Sequence, residues 1–230
     1  MKRLGVLGGM GPAASAEFLV RLIQQTPASC DQEHIPTVVW SDPTIPDRST
    51  SLRNHDDLPW EKLKRGIQGL KNADCDHIVI PCNTAHFWYD RLAGLGVSIT
   101  HIVDSVIDQL RQYKVENTQI VGVMGTQATI EFGLYQQHLS SHGWDCIVPT
   151  QLEMDTLVQP AIDLIKAGKI DQAHGLLIVV AENLIARGAK AVVLGCTEIP
   201  LAVREDSLNG YPMINSIDSL VKSVLTKWIE

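Results

Sequence analysis

Two cysteines stand where a thiol can do chemistry. One closes the segment HIVIPCNTAH, His77 to His86, and the other closes AVVLGCTEIP, Ala191 to Pro200. Each follows a run of β-branched and apolar residues and is followed at once by small polar ones, Asn83 and Thr84 after Cys82, Thr197 and Glu198 after Cys196. In open α/β sheets ligands bind outside the carboxyl ends of the strands. Backbone amides there, aided by a following helix dipole, favour a nearby anion. A thiol with an ordinary pKa of about 8.5 is lowered towards neutrality in such a setting. The expectation is therefore a thiolate, or a thiol ready to become one, at both positions. Cysteine also packs well when buried, and that role suits Cys30, Cys75 and Cys146, which follow no comparable strand end.

Two opposed thiols can invert a stereocentre. One thiolate takes a proton from one face of a carbon and the opposing thiol delivers one to the other face. General acid–base catalysis of this kind needs groups within reach of the carbon and pKa values near the working pH. Around the pair, Asn83, Thr84 and Thr197 can donate to a carboxylate or simply form turns. Arg48, in the polar loop DPTIPDRST, can grip a carboxylate bidentately or stand in solvent. Lys166 closes the helical pattern AIDLIK, where a cation also suits the helix dipole. Met10 and Gly11 lie in a glycine-rich loop, GGMGP, that lets backbone amides approach a ligand but lacks the dinucleotide-binding pattern. Thr126 and Thr129, in MGTQAT, hold the equivalent place in the second half and can bind substrate or cap a helix. His86 beside Cys82 makes only one close Cys/His pair, too few for structural zinc, so no metal is expected.

The elements that must position these residues alternate. Strands are expected at Arg3–Leu7, Thr37–Ser41, His77–Pro81, Ser98–Val103, Gln119–Met124, Asp145–Val148, Ala191–Gly195 and Pro212–Asn215. Helical patterns run over Ala13–Gln25, Trp60–Lys71, Asp104–Tyr113, Thr129–His142, Thr156–Ala167, Asp171–Ala186 and Ser216–Ile229. Near-continuous apolar strands fit parallel sheets covered on both faces, and the alternation fits an α/β fold. The halves echo each other: GVLGGMG from Gly5 resembles GVMGTQA from Gly122, and the two cysteine segments follow at nearly equal distances. That pattern predicts two pseudo-symmetric lobes, residues 1–103 with 212–230 and residues 104–211, each a parallel sheet flanked by helices, with the active site in the cleft between them.

Composition narrows the class. The 230 residues carry a formal charge of −7, with 45% hydrophobic and 20% charged side chains. Without a basic footprint, nucleic acid and anionic membrane are poor partners, and no apolar run approaches the roughly 18 residues of a membrane span. The apolar part of MKRLGVLGGMGP is cut by glycines and ends at Pro12, so it reads as a strand and tight loop rather than a signal peptide. Five cysteines with no C-x-x-C pair argue for thiols in a reducing, cytoplasmic setting rather than a disulfide framework.

The motifs GGMGP at 8–12, PDRS at 46–49, CNTAH at 82–86 and GCTEIPL at 195–201 resemble the aspartate racemase branch of the aspartate/glutamate racemase superfamily, over essentially the whole chain. The resemblance implies two α/β lobes, no cofactor, a homodimer, and a catalytic pair formed by Cys82 and Cys196. It implies substrate contacts for Met10, Arg48, Asn83, Thr84, Thr126, Lys166, Thr197 and Glu198, and a small amino-acid substrate. Glutamate racemases typically carry His after the second Cys-Thr; Glu198 here favours the aspartate branch. Rival readings are a relative using the same cysteines differently, such as a maleate isomerase or a hydantoin racemase, and a non-catalytic two-lobed amino-acid binding protein.

Overall fold

A computed structural model describes residues 3–116 and 118–229; Met1, Lys2, Asn117 and Glu230, which fall within the expected opening segment and lobes, lie outside the described residues. The chain divides into two units, Met1–Ser105 with Ile217–Glu230, and Val106–Ser216.

The first unit holds a four-stranded sheet built from β1 (Leu4–Gly8), β2 (Thr37–Ser41), β3 (His77–Val79) and β4 (Ser98–Ile99), in the order β2-β1-β3-β4 and parallel throughout. Every residue of β1 is buried, as the near-continuous apolar run requires for a central strand covered on both faces. Helices α1 (Pro12–Gln25), α2 (Arg48–Arg53), α3 (Trp60–Asn72) and α4 (Tyr89–Ala93) connect these strands. Helix α3 buries Leu63, Ile67 and Leu70 at helical spacing. They join Leu7, Ile78 and Ile80 in one apolar cluster that also contains Met10, Ile45 and Cys82. The first core thus reaches up to the loops that carry candidate chemistry.

The strand expected over Ser98–Val103 is shorter, because helix α5 (Ile102–Gln112) begins inside it. The His86 ring supplies the reason: its Nε2 accepts the Ile102 N–H at 3.2 Å. A donor at the first turn of a helix has no partner within that helix, and here a ring from a neighbouring loop provides one. The chain passes from the first unit to the second within α5.

The second unit contains β5 (Ile120–Met124), β6 (Asp145–Ile147), β7 (Ala189–Leu194), β8 (Ser207–Leu208) and β9 (Tyr211–Asn215), ordered β6-β5-β7-β9-β8. All pairs are parallel except β8 with β9. Those two strands form a hairpin around Asn209 and Gly210, both at positive φ. Asn-Gly is the pair that such a two-residue turn favours. The hairpin also corrects the expected boundary. The pattern places residues from 212 on in the first lobe, whereas Met213–Asn215 pair with Val192–Leu194 in the second sheet. The return to the first unit comes at Ile217.

Helices of the second unit are α6 (Gln127–Glu131), α7 (Leu134–Ser141), α8 (Gln151–Glu153), α9 (Gln159–Lys166), α10 (Ile170–Ala186) and α11 (Ile199–Ala202). Helix α12 (Ser216–Ile229) returns the chain to the first. The single helix expected over Thr129–His142 is broken at Gly133, whose φ is 71°. Between α8 and α9 lies a π-helical turn, Met154–Val158. It precedes Pro160, which has no N–H to offer an α-helical bond. Among the described residues no helix is long and apolar enough to cross a membrane.

Candidate active site

In the first unit the loops after β1, β2 and β3 leave the same, carboxyl edge of a parallel sheet, so Met10, Arg48 and Cys82 are delivered to one end by topology. Cys82 is 4% exposed. Its N–H donates to the Ile80 carbonyl at 2.7 Å, a three-residue turn about Pro81 that lifts the chain off the strand. A 3₁₀ turn, Thr84–Trp88, follows, and Asn83, Thr84 and His86 are all buried.

His86 is fixed by two backbone groups. Nδ1 lies 2.9 Å from the Cys82 carbonyl, and Nε2 accepts from the Ile102 N–H. A carbonyl only accepts and an N–H only donates, so the ring is the neutral Nδ1–H tautomer. Both ring nitrogens are thereby committed to backbone groups, which ties the Cys82 loop to the start of α5.

Arg48 is the first residue of α2, whose N-cap Asp47 accepts the Thr50 N–H. Its Nη1 donates to the carbonyls of Ile45 at 3.2 Å and Pro46 at 3.1 Å, while its buried Nε has no partner. Among the described residues no carboxylate pairs with it. A guanidinium clamped by neutral carbonyls keeps its charge and part of its donor fork for an incoming anion. Met10 is buried in the same apolar cluster as Ile45 and Cys82, so its side chain packs the floor beneath these loops.

The second unit repeats the arrangement with different chemistry. Gly195 leads from β7 to Cys196, and its N–H donates to the Met124 carbonyl at 2.7 Å. A Cβ on Gly195 would meet Tyr135 Cε2 at 2.7 Å and the Met124 carbonyl oxygen at 2.9 Å. Glycine is required there by close approach. Tyr135 is fully buried and hydrogen-bonds Ser216, whose Oγ donates to the Leu194 carbonyl at 2.8 Å. Because the Ser216 proton is used there, the phenol donates to Ser216. Burial, then the nearby Cys196, holds the phenol protonated far above the usual range. Tyr135 therefore backs the Cys196 loop, and nothing in the helical pattern around it announced that.

Cys196 is 4% exposed, and its Sγ donates to Glu198 Oε2 at 3.1 Å. The same oxygen accepts from Thr197 Oγ1 at 3.4 Å. The thiol pKa is raised well above the ordinary value, first by burial and then by the Glu198 carboxylate; the Glu198 N–H and Lys166 pull the other way more weakly. This overturns the expected lowering at Cys196. Helix α11 is only four residues long, and a buried carboxylate outweighs what its amides offer. Glu198, expected to contact substrate, touches the thiol. Thr126 caps α6, accepting the Thr129 N–H, and Thr129 is wholly buried. Lys166 ends α9 and is exposed.

None of the five cysteines forms a disulfide. Cys75 belongs to the first core, and burial pushes the Cys146 thiol up to about 12.

Comparison with known proteins places these features in context. The profile described as Asp/Glu/Hydantoin racemase matches residues 7–224. The broad specificity amino-acid racemase RacX of Bacillus subtilis (strain 168) is 27% identical over 231 aligned positions, covering 98% of each chain. The structure of the Picrophilus torridus aspartate racemase superposes with a TM-score of 0.86 at 27% identity, over 99% of this chain and 94% of that one. A glutamate racemase from Campylobacter jejuni subsp. jejuni, at 17% identity, shares the fold with a TM-score of 0.69 over 98% of this chain and 85% of its own.

Proposed function

We propose that this chain, which belongs to the Asp/Glu/hydantoin racemase family and so to the isomerases, inverts the α-carbon of aspartate, glutamate or a close relative without a cofactor. Cys82 and Cys196 act as the acid–base pair. The observation that carries this reading is the recurrence of one buried thiol at the carboxyl end of a parallel strand in each unit.

An α-proton of a zwitterionic amino acid is far less acidic than a thiol, so the negative charge that develops on the α-carboxylate needs preorganised donors. Asn83, Thr84 and Thr197, buried beside the cysteines, are suited to that work. Arg48, with its uncommitted Nε, is suited to a carboxylate and favours an acidic side chain. One sulfur removes the α-proton while the other, on the opposite face of the same carbon, delivers its own. The reverse reaction exchanges the roles, so turnover in both directions follows. Lys166 is a second cation for the substrate, and Met10 and Thr126 shape the floor of the site. A relative that adds a cysteine to a double bond needs a nucleophilic thiolate, and the protonated, hydrogen-bonded Cys196 suits an acid better.

The test is incubation with a panel of L- and D-amino acids in heavy water, followed by NMR of α-deuteration and measurement of optical rotation. Deuterium uptake with inversion of an acidic amino acid is expected. Binding without exchange removes the enzymatic reading, and a trapped covalent adduct favours the addition chemistry. The same reading has the protein as a homodimer in a reducing, cytoplasmic setting, which equilibrium sedimentation tests for the assembly.

A further inference from the structure

We propose that a groove between helix α1 and strand β2 binds a primary ammonium carried on an apolar body, at a site separate from the cysteine loops. The groove encloses about 520 Å³, within the range of small-molecule sites. It runs beside β2, the terminal strand of the first sheet among the described residues, and takes in His34 and Ile35, which lead into that strand. Cys82 leaves the carboxyl edge of the same parallel sheet, so the two places lie towards opposite ends of it.

The apolar lining sets the body of the ligand. Leu19, Leu22 and Ile23 come from one face of α1, at the spacing of neighbours on a helix. Ile35 and Val39 complete the lining from the β2 side. Leu22 is buried and anchors the wall, whereas Ile23 is 58% and Val39 39% exposed. Large apolar side chains left in water around a concavity suit an apolar guest.

The polar side chains of the groove ask for a donor. Thr26 Oγ1 donates its proton to the Leu22 carbonyl at 2.6 Å, and Thr37 Oγ1 donates to the Ile35 carbonyl at 2.8 Å. Each hydroxyl therefore keeps only lone pairs for a guest. The Asp31 carboxylate, exposed on the 3₁₀ turn Asp31–Glu33, has no partner among the described residues. Nδ1 of His34 is buried and also has none. A polar atom in that position calls for a partner, and in the Nε2–H tautomer it accepts. Three donors on one compact cation answer this set, and an ammonium has them. A free amino acid would bring its own carboxylate against Asp31, where like charges oppose each other. The groove thus selects an amine that lacks a carboxylate, a different class from the substrate proposed for the cysteines.

The probe is 2-phenylethylamine, titrated into the full chain and followed by amide NMR. The matched controls are 2-phenylethanol, 3-phenylpropionate and L-phenylalanine. Saturable shifts centred on α1 and on residues 31–39 are expected for the amine, with weaker binding of every control. D31N should weaken the amine about twofold to fivefold, the range of an exposed ion pair, and leave the alcohol unchanged. I23S should weaken both. With ¹⁵N-labelled histidine, the Nδ1 resonance of His34 should move as the amine binds. Equal binding of the alcohol, tighter binding of the anion or the amino acid, shifts centred elsewhere, or no saturation overturns the proposal. Sedimentation of wild type against I23S/V39S addresses the other occupant. Self-association lost in the double variant, with no amine bound to wild type diluted below that association, gives this face to a second copy and overturns the proposal. None of these readouts uses racemisation, so their outcome stands apart from that of the heavy-water assay.

Discussion

The two cysteine loops are built on one plan and finished differently. Each thiol follows a parallel strand and is 4% exposed. Behind Cys82 stands a neutral imidazole that joins the cysteine carbonyl to the first N–H of α5. Behind Cys196 stand a tyrosine ring pressed on Gly195 and a carboxylate on the sulfur itself. The lesson is that matched positions in a repeated fold need not have matched surroundings.

The largest test of that contrast is to remove each sulfur in turn. C82A and C196A are each expected to lower racemisation by about 10²–10⁴-fold, the usual contribution of a positioned acid or base. Each variant should still exchange the α-proton of one enantiomer with deuterium, of opposite hand in the two cases. Racemisation at wild-type rate in either variant would break the comparison altogether.

Next in size is Arg48. R48A should reduce kcat/KM for an acidic amino acid by roughly 10–100-fold, as expected from losing a charged hydrogen bond of about 1.5–3 kcal/mol. R48K should recover little, because lysine cannot reproduce the fork. Equal losses with a neutral amino acid would move Arg48 from the side chain to the α-carboxylate.

G195A sharpens the comparison through stability. A Cβ there must displace both Tyr135 and the Met124 carbonyl, at about 1–3 kcal/mol for overpacking of this kind. Thermal unfolding reads the effect, and the double variant G195A/Y135A should restore part of the Cys196 loop while leaving a cavity. An unchanged melting temperature would mean that the close approach does not exist.

The smallest effects lie away from neutral pH, and the two units should respond at opposite ends. Burial, then Lys227, lowers His77 from 6.5 to about 4. Its ring bonds Ser98 and Thr100. Because the unfolded chain binds this proton first, stability present above 6.5 is lost as pH falls towards about 4. Cys146 is raised from 9.0 to about 12. There the folded state keeps the proton longer, so stability present below 9.0 is lost as pH rises towards about 12. H77N should flatten the acid side of a melting-temperature profile and C146A the alkaline side. A profile unmoved by both would show that these shifts do not reach stability.

Much of this was legible along the chain. Near-continuous Val- and Ile-rich runs announced parallel strands, since burial on both faces leaves no polar alternation. The repeated strand-end cysteine announced where a thiol leaves each sheet, because strand ends of such sheets are where loops meet. The Asn209–Gly210 turn also had its signal, a pair suited to positive φ, and it keeps strand β9 in the second sheet. Tyr135 had none: its importance arises from Gly195, sixty residues away in sequence and in van der Waals contact in space. The lowering expected at Cys196 failed for a related reason. Strand-end position is a local property, whereas burial and the aim of the Glu198 carboxylate depend on the packed fold.

By itself, then, the order of residues determined the alternation of strands and helices, the doubling of the unit and the two places where a thiol emerges from a sheet. Those follow from short-range periodicity and from turn chemistry, which act within a few residues. Only the tertiary structure decided that Arg48 keeps a buried Nε uncommitted, that His86 is locked neutral between two backbone groups, and that Cys196 holds its proton. Charge states and spare donors are set by distance and by the exclusion of water, and neither exists until the chain has packed.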